Sequence, residues 1–323
     1  MDRILVTGVD GFIGSNFCRV LVEKGFKGDL FGTIFRDNPN KEVHLKIFGI
    51  DEYVKKIECS LTNLEEVFSI IKKYKPRRIY HFAAQAIVKN AQVNPYFTFH
   101  NNFSSTLNLL EAVRLYDKNI ECFYYHSSDK VYGDTVNAEE NHPYEVGEPY
   151  ATSKIVSDAL CLSYKETYNL PIIVGRSCNV YGPGDFNKRV IPNTIGEILE
   201  RGTATIYEGD DLMLRQYIYI DDLCDIIIQL YEWMHVFAFS HPWNIAPTEG
   251  AVSTESIVKN LVEVGQKILN REIKIITKGK KEGVIKEIQK QSLLTSLPYY
   301  KYTPLKKGLE KTFLWYMRYY ETT

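Results

Sequence analysis

Residues 7–14 read TGVDGFIG and place three glycines between an apolar segment and a stretch of helical periodicity. The segment before the turn, RILV, is short and apolar, and the apolar side chains after it recur at helical spacing as far as Gly25. In a turn of this kind the first glycine permits the bend, the second lets a pyrophosphate approach the backbone, and the third lets the helix pack on the strand. The free N–H groups of the helix N terminus then bind the phosphate. The predicted cofactor contacts in this turn are Gly8, Gly11, Phe12, Ile13 and Gly14.

Strand-like and helix-like patterns alternate outward from this turn through the first two-thirds of the chain. Apolar runs indicate strands in RILVTG, DLFGTIF, RIYHFAA, ECFYYHSS and PIIVGRS. Helical spacing occurs between them in LEEVFSIIKKYK, YFTFHNNFSSTLNLLEAVRLY and YATSKIVSDALCLSYKETY. This alternation predicts an α/β fold with a doubly wound parallel sheet of the Rossmann type. From Asn179 onward the rhythm loosens, with NVYGPGDFNKRVIP as a Gly/Pro loop and KTFLWYMRYYE as a terminal amphipathic helix.

The composition narrows the class of protein. Of 323 residues, 45% are apolar and 24% are charged, which is ordinary for a soluble globular protein. A net charge of −1 gives no reason to expect nucleic acid or an anionic membrane as a partner. No segment reaches the about 18 apolar residues that a membrane span needs, and the N terminus lacks a signal-peptide pattern. Six scattered cysteines without a CxxC pair indicate reduced thiols in a cytoplasmic protein, with neither a disulfide frame nor a metal site.

The end of the second predicted strand bears on the choice of cofactor. An acidic residue there accepts a hydrogen bond from the ribose 2′-hydroxyl of NAD, whereas an arginine accommodates the 2′-phosphate of NADP. The chain has Ile34 and Phe35 near that point and Arg36 just beyond, which favours NADP slightly. Asp37 keeps NAD open as the alternative.

A tyrosine and a lysine stand four residues apart in PYATSK, as Tyr150 and Lys154. Four-residue spacing puts both side chains on one face of a helix. A lysine ammonium near a phenol favours the phenolate and can hold a nicotinamide ribose. The phenolate can then take the proton of a sugar hydroxyl while hydride leaves the same carbon. We therefore predict that Tyr150 and Lys154 form part of a catalytic site, against the alternative of a solvated helix pair.

The motifs together resemble a known family. TGVDGFIG, HFAAQ, a strand ending at Ser128 followed by VYG, PYATSK, GRSCNVYGPGD, YIYIDDL, WNIA and GLEKTFLWY run in order over nearly the whole chain. Their order is similar to that of the extended short-chain dehydrogenase/reductases that act as nucleotide-sugar epimerases and dehydratases. The resemblance implies a Rossmann domain over 1–178 plus about 216–247, and a smaller C-terminal α/β substrate domain over 179–215 and 248–323. It also implies a homodimer, built on the helices around FTFHNNFSSTLNLLEAV and YATSKIVSDALCLSY.

Within that family, the residues after Ser128 separate two reactions. In 4,6-dehydratases the next two positions are the acid and base of an elimination, whereas 4-epimerases usually lack such a pair. This chain has Asp129 and Lys130, and the Asp-Lys order resembles the CDP-glucose 4,6-dehydratases most closely. The resemblance implies that Tyr150 with Ser128 starts an oxidation at C4 of the sugar. Lys130, neutral at that moment, then removes the C5 proton, and Asp129 protonates the departing 6-hydroxyl.

The remaining expectations concern ligand contacts and rival functions. Further cofactor contacts are expected from Arg36, Ser60, Leu61, Ala83, Ala84 and Gln85, with Ser60 in place of the aspartate that usually lies under the adenine. The nucleotide-diphosphate sugar is expected to contact Lys89, Asn179, Arg189 and Arg215.

The rival enzyme is a nucleotide-sugar 4-epimerase. The rival of another class is a non-catalytic NAD(P)-binding regulatory protein, in which Ser128, Tyr150 and Lys154 would have no use.

Overall fold

The computed structural model describes residues 2–36, 43–116, 119–234, 242–280 and 289–322. The strands are β1 Arg3–Thr7, β2 Asp29–Phe35, β3 Lys55–Cys59, β4 Arg78–His81, β5 Cys122–Ser128, β6 Ile172–Ser177, β7 Asn179–Tyr181, β8 Thr203–Tyr207, β9 Met213–Arg215, β10 Tyr217–Tyr219, β11 Trp243–Ile245, β12 Val252–Ser253, β13 Lys274–Lys278 and β14 Gln289–Gln291. The helices are α1 Phe12–Glu23, α2 Val43–Ile47, α3 Leu64–Tyr74, α4 Val88–Val93, α5 Pro95–Tyr116, α6 Pro149–Tyr168, α7 Val190–Arg201, α8 Ile220–Met234, α9 Thr254–Leu269 and α10 Leu305–Thr322. A short 3₁₀ helix, Asp129–Tyr132, follows β5.

Two compact units divide the chain. Unit 1 comprises residues 1–133, 140–176 and 224–243, and unit 2 comprises residues 134–139, 177–223 and 244–323. The chain leaves unit 1 for residues 134–139, leaves it again near the end of β6, returns within α8, and leaves it a last time after residue 243.

A seven-stranded sheet has the strand order β11-β6-β5-β4-β1-β2-β3. Its β1 pairs in parallel with β2 on one side and with β4 on the other, so the order of connection reverses between β1 and β4. The pairs β2–β3 and β4–β5 are parallel as well. Such an order confirms the predicted Rossmann-type α/β fold. In sheets of this kind ligands bind beyond the carboxyl ends of the strands, where the order reverses.

Side chains of alternate residues along each strand pack on opposite faces of this sheet, as the two-residue repeat of a strand requires. One face is covered by α3, α5 and α6, through a core that includes Ile79 and Phe123. The neighbouring strand position, Tyr80, faces the other side and packs on Phe17 of α1, with 4.4 Å between ring centroids. Helices on both faces bury the central strands of the sheet, so that their carboxyl ends are the parts open to a ligand.

Unit 2 is built from short strands and three packed helices. Strand β9 pairs with β12 and β14, β13 pairs in parallel with β8, and β10 pairs in parallel with β7. Helices α7, α9 and α10 pack together through buried apolar side chains that include Ile198, Leu261 and Phe313. No helix in the described part of the chain combines the length and apolarity that crossing a membrane takes.

Several elements differ from the sequence expectation. Strand β4 ends at His81 rather than running on through Phe82 and the alanines, because the backbone N–H groups of Phe82 and Ala83 turn to the Thr7 hydroxyl, each at 3.1 Å. The stretch expected as a Gly/Pro loop after Cys178 contains strand β7 and the start of α7. Residues 37–42 are outside the described residues, and with them Asp37, which kept NAD open as the cofactor.

Candidate active site

The glycine turn has a geometry in which two of its three glycines are required by the fold. Gly8 has φ +71°, which side chains other than glycine rarely adopt, and a Cβ there would lie 2.9 Å from Cα of Ala83. A Cβ on Gly14 would lie 2.3 Å from the carbonyl oxygen of Gly8. Gly11 differs, because its φ of −106° is ordinary and a Cβ would meet only the Gly8 oxygen, at 3.3 Å. The internal packing therefore explains Gly8 and Gly14 but not Gly11.

A cavity of about 410 Å³ opens beside this turn, at the carboxyl ends of β1 to β4. That volume is in the usual range for a small-molecule site. Its lining residues are Gly8, Asp10, Gly11, Thr33, Phe35, Cys59, Leu61, Phe82, Ala83, Ala84, Gln85, Phe97, Asn101 and Ser105. Six of these were predicted cofactor contacts: Gly8, Gly11, Leu61, Ala83, Ala84 and Gln85. The other seven predicted contacts are not among the lining residues: Phe12, Ile13, Gly14, Arg36, Ser60, Tyr150 and Lys154.

The wall formed by Gln85 is held in place by a buried asparagine. Asn102 of α5 accepts a hydrogen bond from the Gln85 backbone N–H at 2.8 Å and donates to the Gln85 carbonyl at 3.1 Å. It also donates to the Ser153 hydroxyl of α6 at 2.9 Å. Because one amide side chain joins both helices to the segment after β4, it fixes that side of the cavity.

Charged side chains meet where β2 and β3 end. Arg36, just beyond β2, forms an ion pair with Glu66 of α3 at 2.8 Å. The same Glu66 oxygen accepts the backbone N–H of Ser60, at 3.1 Å. On the other side of this region, the carboxylate of Asp10 accepts the backbone N–H of Phe35 at 3.3 Å. The Arg36 guanidinium, whose presence in the sequence favoured NADP, is therefore paired with a carboxylate of the protein.

The hydroxyl of Ser128 organises the end of β5. It caps the 3₁₀ helix by accepting the Lys130 backbone N–H at 3.2 Å, and it donates to a carboxylate oxygen of Asp129 at 3.0 Å. Asp129 is buried, with 3% of its surface exposed, whereas Ser128 and Lys130 are half-buried. The three residues therefore form one compact polar group at a strand end on the carboxyl side of the sheet.

Helix α6 brings Lys154 to the same strand. Its ammonium donates to the carbonyl of His126 at 2.7 Å and lies 4.9 Å from the centre of the Tyr125 ring. Complete burial lowers the pKa of Lys154 to about 8, although the carboxylate of Asp158 opposes that shift. Tyr150, one turn earlier, is half-buried at the start of α6, where Glu148 caps the helix by accepting the Tyr150 and Ala151 N–H groups.

The predicted sugar-binding residues lie in different units. Lys89 is exposed on α4 of unit 1. In unit 2, Asn179 donates from its side chain to the Gln216 carbonyl at 3.2 Å, and Arg189 lies 3.7 Å from Asp185. The Nη1 atom of Arg215 is buried and has no hydrogen-bond partner among the described residues. Burial raises the pKa of Tyr217 to about 12, and the guanidinium groups of Arg215 and Arg189 oppose that rise.

Some lining residues were not found from the sequence. Thr33 accepts the Gly8 N–H at 3.2 Å through its hydroxyl and so holds the glycine turn against β2. Asp10 lies inside the TGVDGFIG motif and lines the cavity. A carboxylate beside an expected pyrophosphate is unusual because both are negatively charged, and this could have drawn attention to Asp10 in the sequence. Among the described residues, no three His, Cys, Asp or Glu side chains cluster closely enough to hold a metal ion.

Comparison with known proteins agrees with this geometry. The dTDP-glucose 4,6-dehydratase of Xanthomonas campestris is 31% identical over 238 residues, which cover 70% of this chain and 67% of that protein. The crystal structure of dTDP-glucose 4,6-dehydratase from Bacillus anthracis, in complex with NAD, superposes with a TM-score of 0.80 at 25% identity, covering 99% of this chain and 98% of that one. UDP-glucose 4-epimerase from Thermus thermophilus, in complex with NAD, has a TM-score of 0.81 at 24% identity, covers 98% and 99%, and shares the fold.

A family model supplies the last comparison. The model of GDP-mannose 4,6 dehydratase matches residues 5–293, which span the glycine turn, the Ser128 strand end, Tyr150 and Lys154. Because the match covers most of the chain, this protein belongs to the GDP-mannose 4,6 dehydratase family of nucleotide-sugar enzymes.

Proposed function

We propose that this protein is a nucleotide-sugar 4,6-dehydratase, which converts an NDP-hexose to the NDP-4-keto-6-deoxyhexose with loss of water. The observation that carries the assignment is the acid–base pair Asp129 and Lys130, next to Ser128 in a member of this family. An elimination needs a base at one carbon and an acid at the next, and a single turn of 3₁₀ helix presents both.

The first part of the mechanism is the oxidation at C4. Tyr150 removes the proton of the 4-hydroxyl, and the Ser128 hydroxyl relays the hydrogen bond between them. Lys154 stabilises the phenolate by its positive charge, and its nearly complete burial strengthens that effect because water screens it little. A positioned base of this kind contributes about 10² to 10⁴ in rate.

The second part is the elimination across C5 and C6. The 4-keto group makes the C5 proton acidic, and Lys130 in its neutral form removes that proton. Asp129 in its protonated form donates to the departing 6-hydroxyl, which leaves as water. Once C6 has been reduced, Lys130 returns its proton to C5, which gives the 4-keto-6-deoxy sugar. Asp129 is only 3% exposed and accepts the Ser128 hydroxyl at 3.0 Å, so its carboxyl group is held in place at the strand end.

A nicotinamide dinucleotide, when bound, supplies the hydride acceptor for C4 and the hydride donor for C6. The cavity beside the glycine turn fits such a group, because Gly11 presents bare backbone that the fold itself does not require to be glycine. The N terminus of α1 follows directly, with free N–H groups suited to a pyrophosphate. We assign NAD as the nucleotide, since Arg36 is engaged by Glu66.

The diphosphate of the nucleotide sugar is assigned to unit 2. The buried Nη1 of Arg215 requires an acceptor, and a phosphate oxygen satisfies a guanidinium in a bidentate way. Arg189 adds a second positive charge near the same tyrosine, Tyr217. Asn179 is assigned to the sugar, and Lys89 of unit 1 to a phosphate. Unit 1 is accordingly the cofactor-binding domain and unit 2 the substrate domain.

We propose a homodimer, which the exposed face of α5 and α6 supports. Tyr96 is 79% exposed and Val156 39% exposed, and both line an apolar groove with Phe99 and Phe103. A second copy of the same face would bury these side chains, and helices packed pairwise across a two-fold axis give a closed assembly.

Mass spectrometry of the purified protein with CDP-, dTDP-, GDP- and UDP-hexoses tests the reaction. The expected result is loss of one water from one of them. An epimerase converts its sugar without any change of mass, and a regulatory protein converts none. The Asp129→Asn, Lys130→Ala double variant should still oxidise the matching sugar and accumulate reduced nicotinamide, without releasing water. Dehydration by this variant at the wild-type rate would contradict the assigned acid and base.

A further inference from the structure

Asp10 occupies an unusual position in the glycine turn. It lies between Gly8 and Gly11, is 9% exposed, and lines the cavity. Its carboxylate reaches across to the end of β2, where it accepts the Phe35 N–H at 3.3 Å. Thr33 and Phe35 of β2 line the same cavity.

The end of the second strand is where a Rossmann fold recognises the adenosine ribose. An acidic side chain there normally accepts the 2′-hydroxyl of NAD. In this chain the described residues at that point are Ile34, Phe35 and Arg36, and none is acidic. Among the described residues, two carboxylates reach this strand end from other elements: Glu66 of α3, which is paired with Arg36, and Asp10 of the β1–α1 turn, which accepts the Phe35 N–H. A carboxylate has two oxygens and about four acceptor positions, so the bond from Phe35 is compatible with a ribose hydroxyl as well.

The charged side chains near the end of β2 favour a role for Asp10 in the choice between NAD and NADP. Arg36, the cation that could attract a 2′-phosphate, is paired with Glu66 at 2.8 Å. Burial raises the pKa of Cys59 to about 12, and the carboxylates of Glu66 and Asp10 act in the same direction while Arg36 opposes them. All three charged groups therefore lie near the Cys59 thiol, where Arg36 is paired with Glu66 and Asp10 lines the cavity.

We propose that Asp10 selects NAD over NADP, by accepting a hydrogen bond from the adenosine ribose and by repelling a 2′-phosphate. This inference rests on the cofactor cavity assigned under the proposed function. It replaces the slight preference for NADP that the residue Arg36 indicated, because that guanidinium is balanced by Glu66 whereas Asp10 lines the cavity.

Nucleotide binding to the full-length protein tests the inference directly. Dissociation constants for NADH and NADPH are measured by nicotinamide fluorescence for the wild type and for Asp10→Asn, which keeps the shape and removes the charge. We expect the wild type to prefer NADH, and the ratio of the two constants to move towards NADPH by about 10- to 100-fold in the variant. The matched control is Glu23→Gln, which removes a carboxylate at the far end of α1, paired with Arg19. The control should keep the wild-type ratio.

The outcomes separate the two proposals. A wild type that prefers NADPH, or a variant that binds NADH with the wild-type ratio, overturns the role of Asp10 and leaves the dehydratase assignment standing. A wild type that binds neither nucleotide overturns the cofactor cavity and the proposed function with it. If Asp10→Asn does not fold, as judged by thermal melting, Asp10→Ser is measured in its place, because it also removes the charge and can still accept the Phe35 N–H.

Discussion

Substitution of the three glycines one at a time should separate folding from cofactor binding. A methyl group on Gly14 would lie 2.3 Å from the Gly8 oxygen, at least 1 Å inside the roughly 3.5 Å of an ordinary contact. Helix α1 would have to move away from β1, and overpacking of this kind costs about 3 kcal/mol. Gly8→Ala adds the cost of a left-handed backbone, about 1 to 2 kcal/mol, to its own contact with Ala83. Both variants should lose stability.

Gly11→Ala should behave differently. The backbone at Gly11 is in an ordinary extended conformation, and the only contact of a methyl group within 4 Å would be the Gly8 oxygen at 3.3 Å. Alanine is a poorer N-cap than glycine, so we expect a loss of about 0.5 to 1 kcal/mol in the free energy of unfolding. The methyl group would occupy the space of the pyrophosphate, which should weaken NADH binding about 100-fold. Gly11→Val should abolish binding.

Urea unfolding and nicotinamide fluorescence, measured on the same preparations, give both quantities. The expected pattern is a stable Gly11→Ala protein that binds NADH poorly, and a Gly14→Ala protein that melts earlier. The reasoning is refuted if folded Gly11→Ala or Gly11→Val binds NADH as tightly as the wild type does. It is also refuted if Gly14→Ala is as stable as the wild type, because the clash with the Gly8 oxygen would then not exist.

Three further changes test the catalytic base, the dimer and the buried histidines. Tyr150→Phe should lower turnover by about 10² to 10⁴ with little change in nucleotide-sugar affinity, and turnover near the wild-type rate would remove the base from the mechanism. Val156→Glu should produce a monomer by light scattering, whereas Leu212→Glu, also at an exposed apolar residue, should not; a wild-type monomer at micromolar concentration would refute the dimer. Burial lowers the pKa of His81 and of His126 to about 3, so the unfolded chain binds protons first and stability should fall as the pH falls below about 6.5. Each buried histidine should lower the free energy of unfolding by about 2 kcal/mol at pH 5. Urea unfolding at pH 7 and pH 5 should show a smaller loss of stability for His126→Gln than for the wild type. The control His100→Gln, at an exposed histidine, should show the wild-type loss.

The main sheet could be predicted because its strands are buried on both faces. Such strands are continuous apolar runs, and β2 has the same limits in the sequence pattern and in the structure, Asp29–Phe35. Strand β3 escaped notice because it forms the edge of the sheet, where KKIEC exposes three charged side chains. The strands of unit 2 are two to five residues long, too short to establish a periodicity, and β7 is defined by its pairing with β10.

The site was predictable to the extent that its residues form local motifs. Two sets of site residues each lie close together in the sequence, at the end of one strand. The first is Gly8 and Gly11, and the second is Ser128, Asp129 and Lys130. Contacts between distant segments were not predictable in this way. The pairing of Arg36 with Glu66 spans 30 residues, and the contact of Asp10 with Phe35 spans 25. Both contacts depend on the register of β2 beside β1 and β3, which the periodicity of the sequence does not encode. Both also weaken the preference for NADP that was inferred from Arg36 alone.

The short 3₁₀ helix after β5 has a consequence for the proposed reaction. Ser128 caps this helix, accepting the Lys130 N–H while donating to Asp129, so the three side chains share one rigid turn. In the proposed reaction, oxidation at C4 uses the first of them, and elimination at C5 and C6 uses the other two. Because these residues are consecutive on one turn, a sugar bound in a single position can present C4, C5 and C6 to them. The turn therefore favours an elimination that follows oxidation without release of the keto sugar, and it explains why a change at Ser128 should affect both steps.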